Sequence, residues 1–141
     1  MSRTLAVLVL LAAAAAGRAA EPGDEAARSY RVTTEGSTAA VNAGGSGRIV
    51  ISVEPLAKVH VDPRAPLKVT LTASDGLRLG KEKLGHQDAV DPKAEMPRFE
   101  VPFVARAKGK QEARAKLDFF LCSDQWCVKQ TREVAVAVDV R

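Results

Sequence analysis

From Ala113 to Leu121 every second residue is apolar: Ala113, Ala115, Leu117, Phe119 and Leu121, with Arg114, Lys116 and Asp118 between them. A helix, turning about 100° per residue, would scatter those side chains around its axis. A strand collects them on one face. The same period of two runs through Leu67, Val69, Leu71 and Ala73, through Ile49, Ile51 and Val53, through Phe99, Val101 and Phe103, and through Val134, Val136, Val138 and Val140. Tyr30–Thr34 and Ala39–Val41 alternate more weakly, and Leu77 and Leu79 flank Arg78. Turn formers separate these runs: Gly44-Gly45-Ser46-Gly47, Asp75-Gly76 and Lys108-Gly109-Lys110. Some seven short strands, with no helical period among them, predict an all-β chain folded as an antiparallel β-sandwich or a small barrel.

The two ends of the pattern are irregular. Met1 to Ala19 has the form of a secretory signal: Arg3, then the apolar run Leu5–Ala16, then Gly17 and Ala19 in a small-x-small arrangement. That run is too short to span a bilayer, no second one follows, and no cysteine stands at the cleavage site. The expectation is an exported, periplasmic or secreted protein whose mature chain is not inserted in a membrane. Its residues 20–29, charged and alanine-rich, read as a flexible lead before a domain over residues 30–141. Removing residues 1–19 takes away Arg3 and Arg18, so 21 basic side chains become 19 against 17 acidic. Such a balance, with basic residues scattered rather than striped, excludes a nucleic-acid footprint. With 46% hydrophobic residues the chain is not of disordered composition either.

One constellation carries chemistry: Cys122-Ser-Asp-Gln-Trp-Cys127. An exported chain with two cysteines is expected to form one disulfide. Directly opposed positions across a hairpin lie about 4.5–5.5 Å apart, within reach of that bond. Cys122 shares parity with Lys116 and Asp118, and Cys127 with Lys129, Thr131 and Glu133, which places both sulfurs on the polar side of the hairpin. Gln130 and Arg132 then fall on the apolar side, and that conflict predicts a bulge within Val128–Arg132. Phe120 and Trp126 flank the pair as candidate shields. Gly80–Pro97, the longest irregular stretch, holds His86, Asp88, Asp91 and Pro92 and is long enough to fold over the sulfurs.

Other chemistries have little to stand on. His60, in Val59-His60-Val61, alternates as a partly buried strand residue, and His86 reads as a solvated loop residue. With Met96 and the cysteines they show no metal-ligand spacing. There is no serine–histidine–acid set, no phosphate loop and no paired-carboxylate motif, so neither a metal nor a cofactor is expected.

Leu117-Asp-Phe-Phe-Leu-Cys-Ser-Asp-Gln-Trp-Cys127 resembles the active-site hairpin of the periplasmic N-terminal domain of DsbD, the thiol:disulfide interchange protein. Val59-His-Val-Asp-Pro-Arg-Ala-Pro-Leu67 and Arg98-Phe-Glu-Val-Pro-Phe103 resemble it more diffusely. The resemblance implies an immunoglobulin-like β-sandwich whose cysteine pair, here Cys122 and Cys127, exchanges disulfides with a thioredoxin-like partner. It also implies a cap loop, which maps onto Gly80–Pro97 and brings Asp88 in beside Phe120 and Trp126 as shielding residues. The chain departs from that family in several ways. It has one residue fewer between the cysteines, no proline after the second, no aromatic in the loop, and neither the membrane-spanning nor the thioredoxin-like domain. Two functions follow: a thiol–disulfide relay, or an exported binding or structural module with an inert disulfide.

Overall fold

The computed structural model describes residues 21–141; the signal-like segment lies outside the described residues. One short helix, α1 (Pro22–Arg28), precedes ten strands. These are β1 (Tyr30–Thr33), β2 (Ala40–Val41), β3 (Ser46–Pro55), β4 (His60–Val61), β5 (Lys68–Ala73), β6 (Leu77–Leu79), β7 (Lys83–Leu84), β8 (Arg98–Ala105), β9 (Gly109–Cys122) and β10 (Cys127–Val140). They form two sheets, one ordered β1-β3-β8-β6 and the other β2-β10-β9-β5-β7, with β4 beside the far end of β9. The chain is an all-β, immunoglobulin-like β-sandwich. All ladders but one are antiparallel: β2 runs parallel to the end of β10, pairing Ala40 with Asp139 and Val41 with Val140.

The period of two sorts the side chains as expected. Ile49, Ile51, Val53, Phe99, Val101 and Phe103 of one sheet meet Val69, Leu71, Leu117, Phe119, Leu121, Val136 and Val138 of the other in a single buried cluster. Fully burying each large side chain contributes about 1.5–3 kcal/mol. Val50, of opposite parity, is also buried, because the Gly36–Thr38 segment crosses the outer face there. Ser37 fixes that crossing: its hydroxyl accepts from the Val50 N–H at 2.8 Å and donates to the Val50 carbonyl at 3.2 Å.

The longest feature is the β9–β10 hairpin, paired without interruption from Gly109↔Val140 to Cys122↔Cys127. Gly109 opens it at φ 116°, a left-handed conformation that glycine adopts without strain. The expected bulge within Val128–Arg132 does not occur. Gln130 and Arg132 instead take inward-parity positions that a third element satisfies. The Tyr30 hydroxyl donates to Gln130 Oε1 at 3.3 Å, while the Gln130 amide donates to the Lys129 carbonyl at 3.0 Å. The Arg132 guanidinium lies 4.8 Å from the Tyr30 ring centroid and donates to the Ala27 carbonyl at 3.3 Å.

Ala27 belongs to α1, so the segment read as a lead is an ordered element packed on the hairpin. Pro22 and the acids Asp24 and Glu25 suit its first turn, Arg28 its last. Ala26, its one buried residue, is 0% exposed.

Candidate functional site

Strands β9 and β10 bring Cys122 and Cys127 into direct opposition at the tip of the hairpin, with Cα atoms 4.1 Å apart and the disulfide formed. The turn between them is braced by its first residue. The Ser123 N–H donates to the Trp126 carbonyl at 2.8 Å, and the Ser123 hydroxyl accepts from the Gln125 and Trp126 N–H groups at 3.1 and 3.2 Å. That geometry serves either redox state, since it depends on the serine and the backbone alone.

The two sulfurs are unequally placed. Cys127 is exposed, whereas Cys122 is 3% exposed. Cys122 nevertheless lies outside the main hydrophobic cluster, which takes in its neighbour Leu121. What covers it is β4. His60 pairs with Cys122 across the ladder, and Val61 pairs with Leu121. Val61 points into the core with Leu121, so His60 and the following Asp62 share the outer face with Cys122 and Phe120.

Asp62 is the residue the sequence did not disclose. Its N–H donates to the Phe120 carbonyl at 3.1 Å, which ties it to β9 just before the cysteine. A carboxylate oxygen of Asp62 and the sulfurs of Cys122 and Cys127 lie within 4.8 Å of one another. The Arg64 backbone N–H, donating to Oδ1 at 2.9 Å, leads in holding this carboxyl below the usual carboxylate range, with the Arg64 and His60 side chains adding to it. In the sequence Asp62 lay only within the diffuse Val59–Leu67 resemblance, and the turn chemistry of Asp62-Pro63 says nothing of a cysteine some sixty residues away.

The other predicted site residues fall apart from one another. Phe120 is half-buried opposite Lys129, on the same face as Cys122. Trp126 is half-buried too and packs against the core cluster. Asp88 is engaged within its own loop: it pairs with Lys81 and accepts from the Gly85 N–H at 2.8 Å. Lys81 first, then that N–H, hold the Asp88 carboxyl below its ordinary range. The acid beside the disulfide is therefore Asp62, not Asp88.

The Gly80–Pro97 stretch backs β4 rather than taking Asp62's place at the sulfurs. Its β7 pairs with β5, and its Glu95 carbonyl accepts from the Val61 N–H at 3.0 Å. His86, expected in solvent, is part-buried, with Nε2 2.7 Å from the Ala65 carbonyl. It braces the connection that carries Asp62. Where the stretch meets β4 there is a shallow cleft of about 500 Å³, bordered by Leu56, Val59, His60, Glu95 and Met96, with Leu56 and Met96 exposed. A larger cleft, about 720 Å³, runs along the outer face of β5, β9 and β10 past Lys68, Lys116 and Asp118, and neither cysteine lines it.

No family model matches the sequence, and no curated protein does. Among solved structures, the chain is similar to part of the Escherichia coli alpha-2-macroglobulin (18% identity, TM-score 0.46), with 79% of this chain but only 6% of that one covered. It is similar to a lipoprotein from Bacteroides thetaiotaomicron at 8% identity and TM-score 0.44, with 78% of each chain covered. A PapD-like domain of human CEP192 aligns at 9% identity and TM-score 0.42, covering 99% of this chain and 98% of that one. No helix among the described residues is long and apolar enough to cross a membrane.

Proposed function

We propose that the chain is an extracytoplasmic thiol–disulfide relay that passes reducing equivalents through Cys122 and Cys127, with a thioredoxin-like protein as donor. The observation that carries this reading is the placement of the disulfide: on the outer face of a hairpin, outside the core cluster, with Cys127 exposed. A strand offers no helix dipole to lower a thiol pKa, so the attacking thiolate belongs to the partner.

That thiolate attacks Cys127 Sγ and forms a mixed disulfide, and the bond to Cys122 breaks. Cys122 leaves with the electron pair and takes up a proton. An ionised Asp62 beside it disfavours a lasting thiolate there. The partner's second thiol then attacks its own bonded sulfur and releases Cys127. The partner ends oxidised, and the chain ends as a dithiol able to reduce an acceptor.

The test is trapping with a thioredoxin-like protein whose second cysteine is replaced by serine. Each single-cysteine variant of the chain is first charged as a mixed disulfide with 2-nitro-5-thiobenzoate, the leaving group that the partner's thiolate displaces. Cys122→Ser should accumulate a mixed disulfide through Cys127, and Cys127→Ser little or none. Trapping by neither variant would overturn the relay. It would favour the second reading, a binding or structural module with an inert disulfide, for which the near-complete burial of Cys122 speaks.

A further inference from the structure

We propose that the reduced hairpin is a metal site, in which Cys122, Cys127 and Asp62 together hold one thiophilic divalent cation, Zn²⁺ by preference, in a three-ligand set open to a fourth. Two sulfurs and a carboxylate oxygen already lie within 4.8 Å of one another, the one such group of His, Cys, Asp and Glu among the described residues. Ligands bound at about 2.0–2.3 Å around a tetrahedral ion stand roughly 3.3–3.8 Å apart, so small side-chain rotations close the set. Once the disulfide is cut, the opposed sulfurs separate by turning about Cα–Cβ, with the backbone ladder unchanged.

The carboxylate is the telling member. Its Oδ1 is occupied by Arg64, at 2.9 Å from the N–H and 3.5 Å from Nε, while its Oδ2 accepts no hydrogen bond among the described residues. The side chain is only 17% exposed. A carboxylate beside a disulfide gains nothing from it, and beside two thiols it opposes their ionisation. A dication reverses the sign: two thiolates and a carboxylate become complementary to the charge between them.

Two sulfurs and one oxygen suit zinc and not calcium or magnesium, which take oxygen ligands. The outer contacts that orient such ligands are in place, from the Asp62 N–H on the Phe120 carbonyl to the Ser123 brace of the turn. His60 lies directly across the ladder from Cys122 on the same face.

The site exists only after reduction. A phosphine reductant supplies two electrons and becomes the phosphine oxide, taking its oxygen from water, whose two protons end on the sulfurs. The metal then displaces those protons on binding. Any reductant serves, so the proposal does not rest on the relay. Metal in the site would withdraw both sulfurs from exchange.

The experiment reduces the chain with phosphine under anaerobic conditions, removes the excess, and titrates with Co²⁺ alone, followed by Zn²⁺. We expect sulfur-to-cobalt charge-transfer bands and intense tetrahedral ligand-field bands that saturate at one ion per chain and vanish with Zn²⁺. About two protons should be released per ion. Both signals should be absent from the oxidised chain and from Cys122→Ser and Cys127→Ser. Asp62→Asn, nearly isosteric, should bind at least about tenfold more weakly. The proposal is overturned by a reduced chain that gives no such bands or releases no protons, or by undiminished affinity in a folded Asp62→Asn. Bands and proton release are read on the unmutated chain, so a misfolded variant does not leave the question open. A failed titration leaves mixed-disulfide trapping untouched, which separates this proposal from the relay.

Discussion

Strand β9 and the first half of β10 are two arms of one hairpin, yet they meet the interior on different terms. The inward residues of β9, Leu117, Phe119 and Leu121, face the opposite sheet and are almost wholly buried. Their counterparts on β10 include Gln130 and Arg132, which face Tyr30 and the carbonyl end of α1. Where a strand's partner is another sheet, apolar alternation is enforced by desolvation alone. Where the partner is a single aromatic ring and a helix end, polar groups are admitted as long as each finds a hydrogen bond.

This contrast can be broken most severely at Phe119, which packs edge-on against Tyr30 with ring centroids 5.2 Å apart and so belongs to both regions. Phe119→Ala should cost about 3–5 kcal/mol, read by urea unfolding, because it opens a cavity in the core. A loss below about 1 kcal/mol would mean that the sheets do not meet there.

The tip of the hairpin should matter less to stability. Replacing both Cys122 and Cys127 by serine removes a small ring and should cost about 2 kcal/mol, leaving a folded β protein by circular dichroism. Global unfolding of that double variant would make the bond a staple rather than a reactive group.

The smallest effect is expected on β10. Arg132→Ala removes one cation–π contact and one hydrogen bond of a half-buried side chain, and should cost about 1 kcal/mol in the same unfolding measurement. It should also speed proteolysis in α1, since Arg132 is what holds the Ala27 carbonyl. Unchanged proteolysis would show that Ala26 alone anchors the helix.

The sequence was legible where one physical rule decided the outcome. The strands that build the core follow from alternation, and the opposition of the cysteines on the outer face follows from parity. Residues governed by partners distant in sequence were not legible. Gln130 and Arg132 suggested a bulge because nothing nearby announced that Tyr30 would satisfy them. Pro22–Arg28 has a single buried apolar residue, too little to show a helical period. Strand β7 is two residues long, below the length at which alternation can be seen, whereas the short alternation of Val59-His60-Val61 did mark β4, with His60 partly buried as expected. Asp62 reaches the sulfurs only because β4 pairs with the last two residues of β9, a ladder no spacing rule encodes.

The parallel ladder between β2 and β10 has a kinetic consequence. It joins Ala40 to Asp139, and the Tyr30–Gln130 bond spans 100 residues. Contacts of such separation impose a slow, high-contact-order search, and the second sheet cannot close until the final strand is present. The disulfide, by contrast, joins residues with a sequence separation of 5, across a turn that forms locally. Its oxidation therefore shortens none of the long loops that limit the search. Oxidised and reduced chains should reach the native topology at similar rates, leaving the redox state of the hairpin free to change without recasting the folding route.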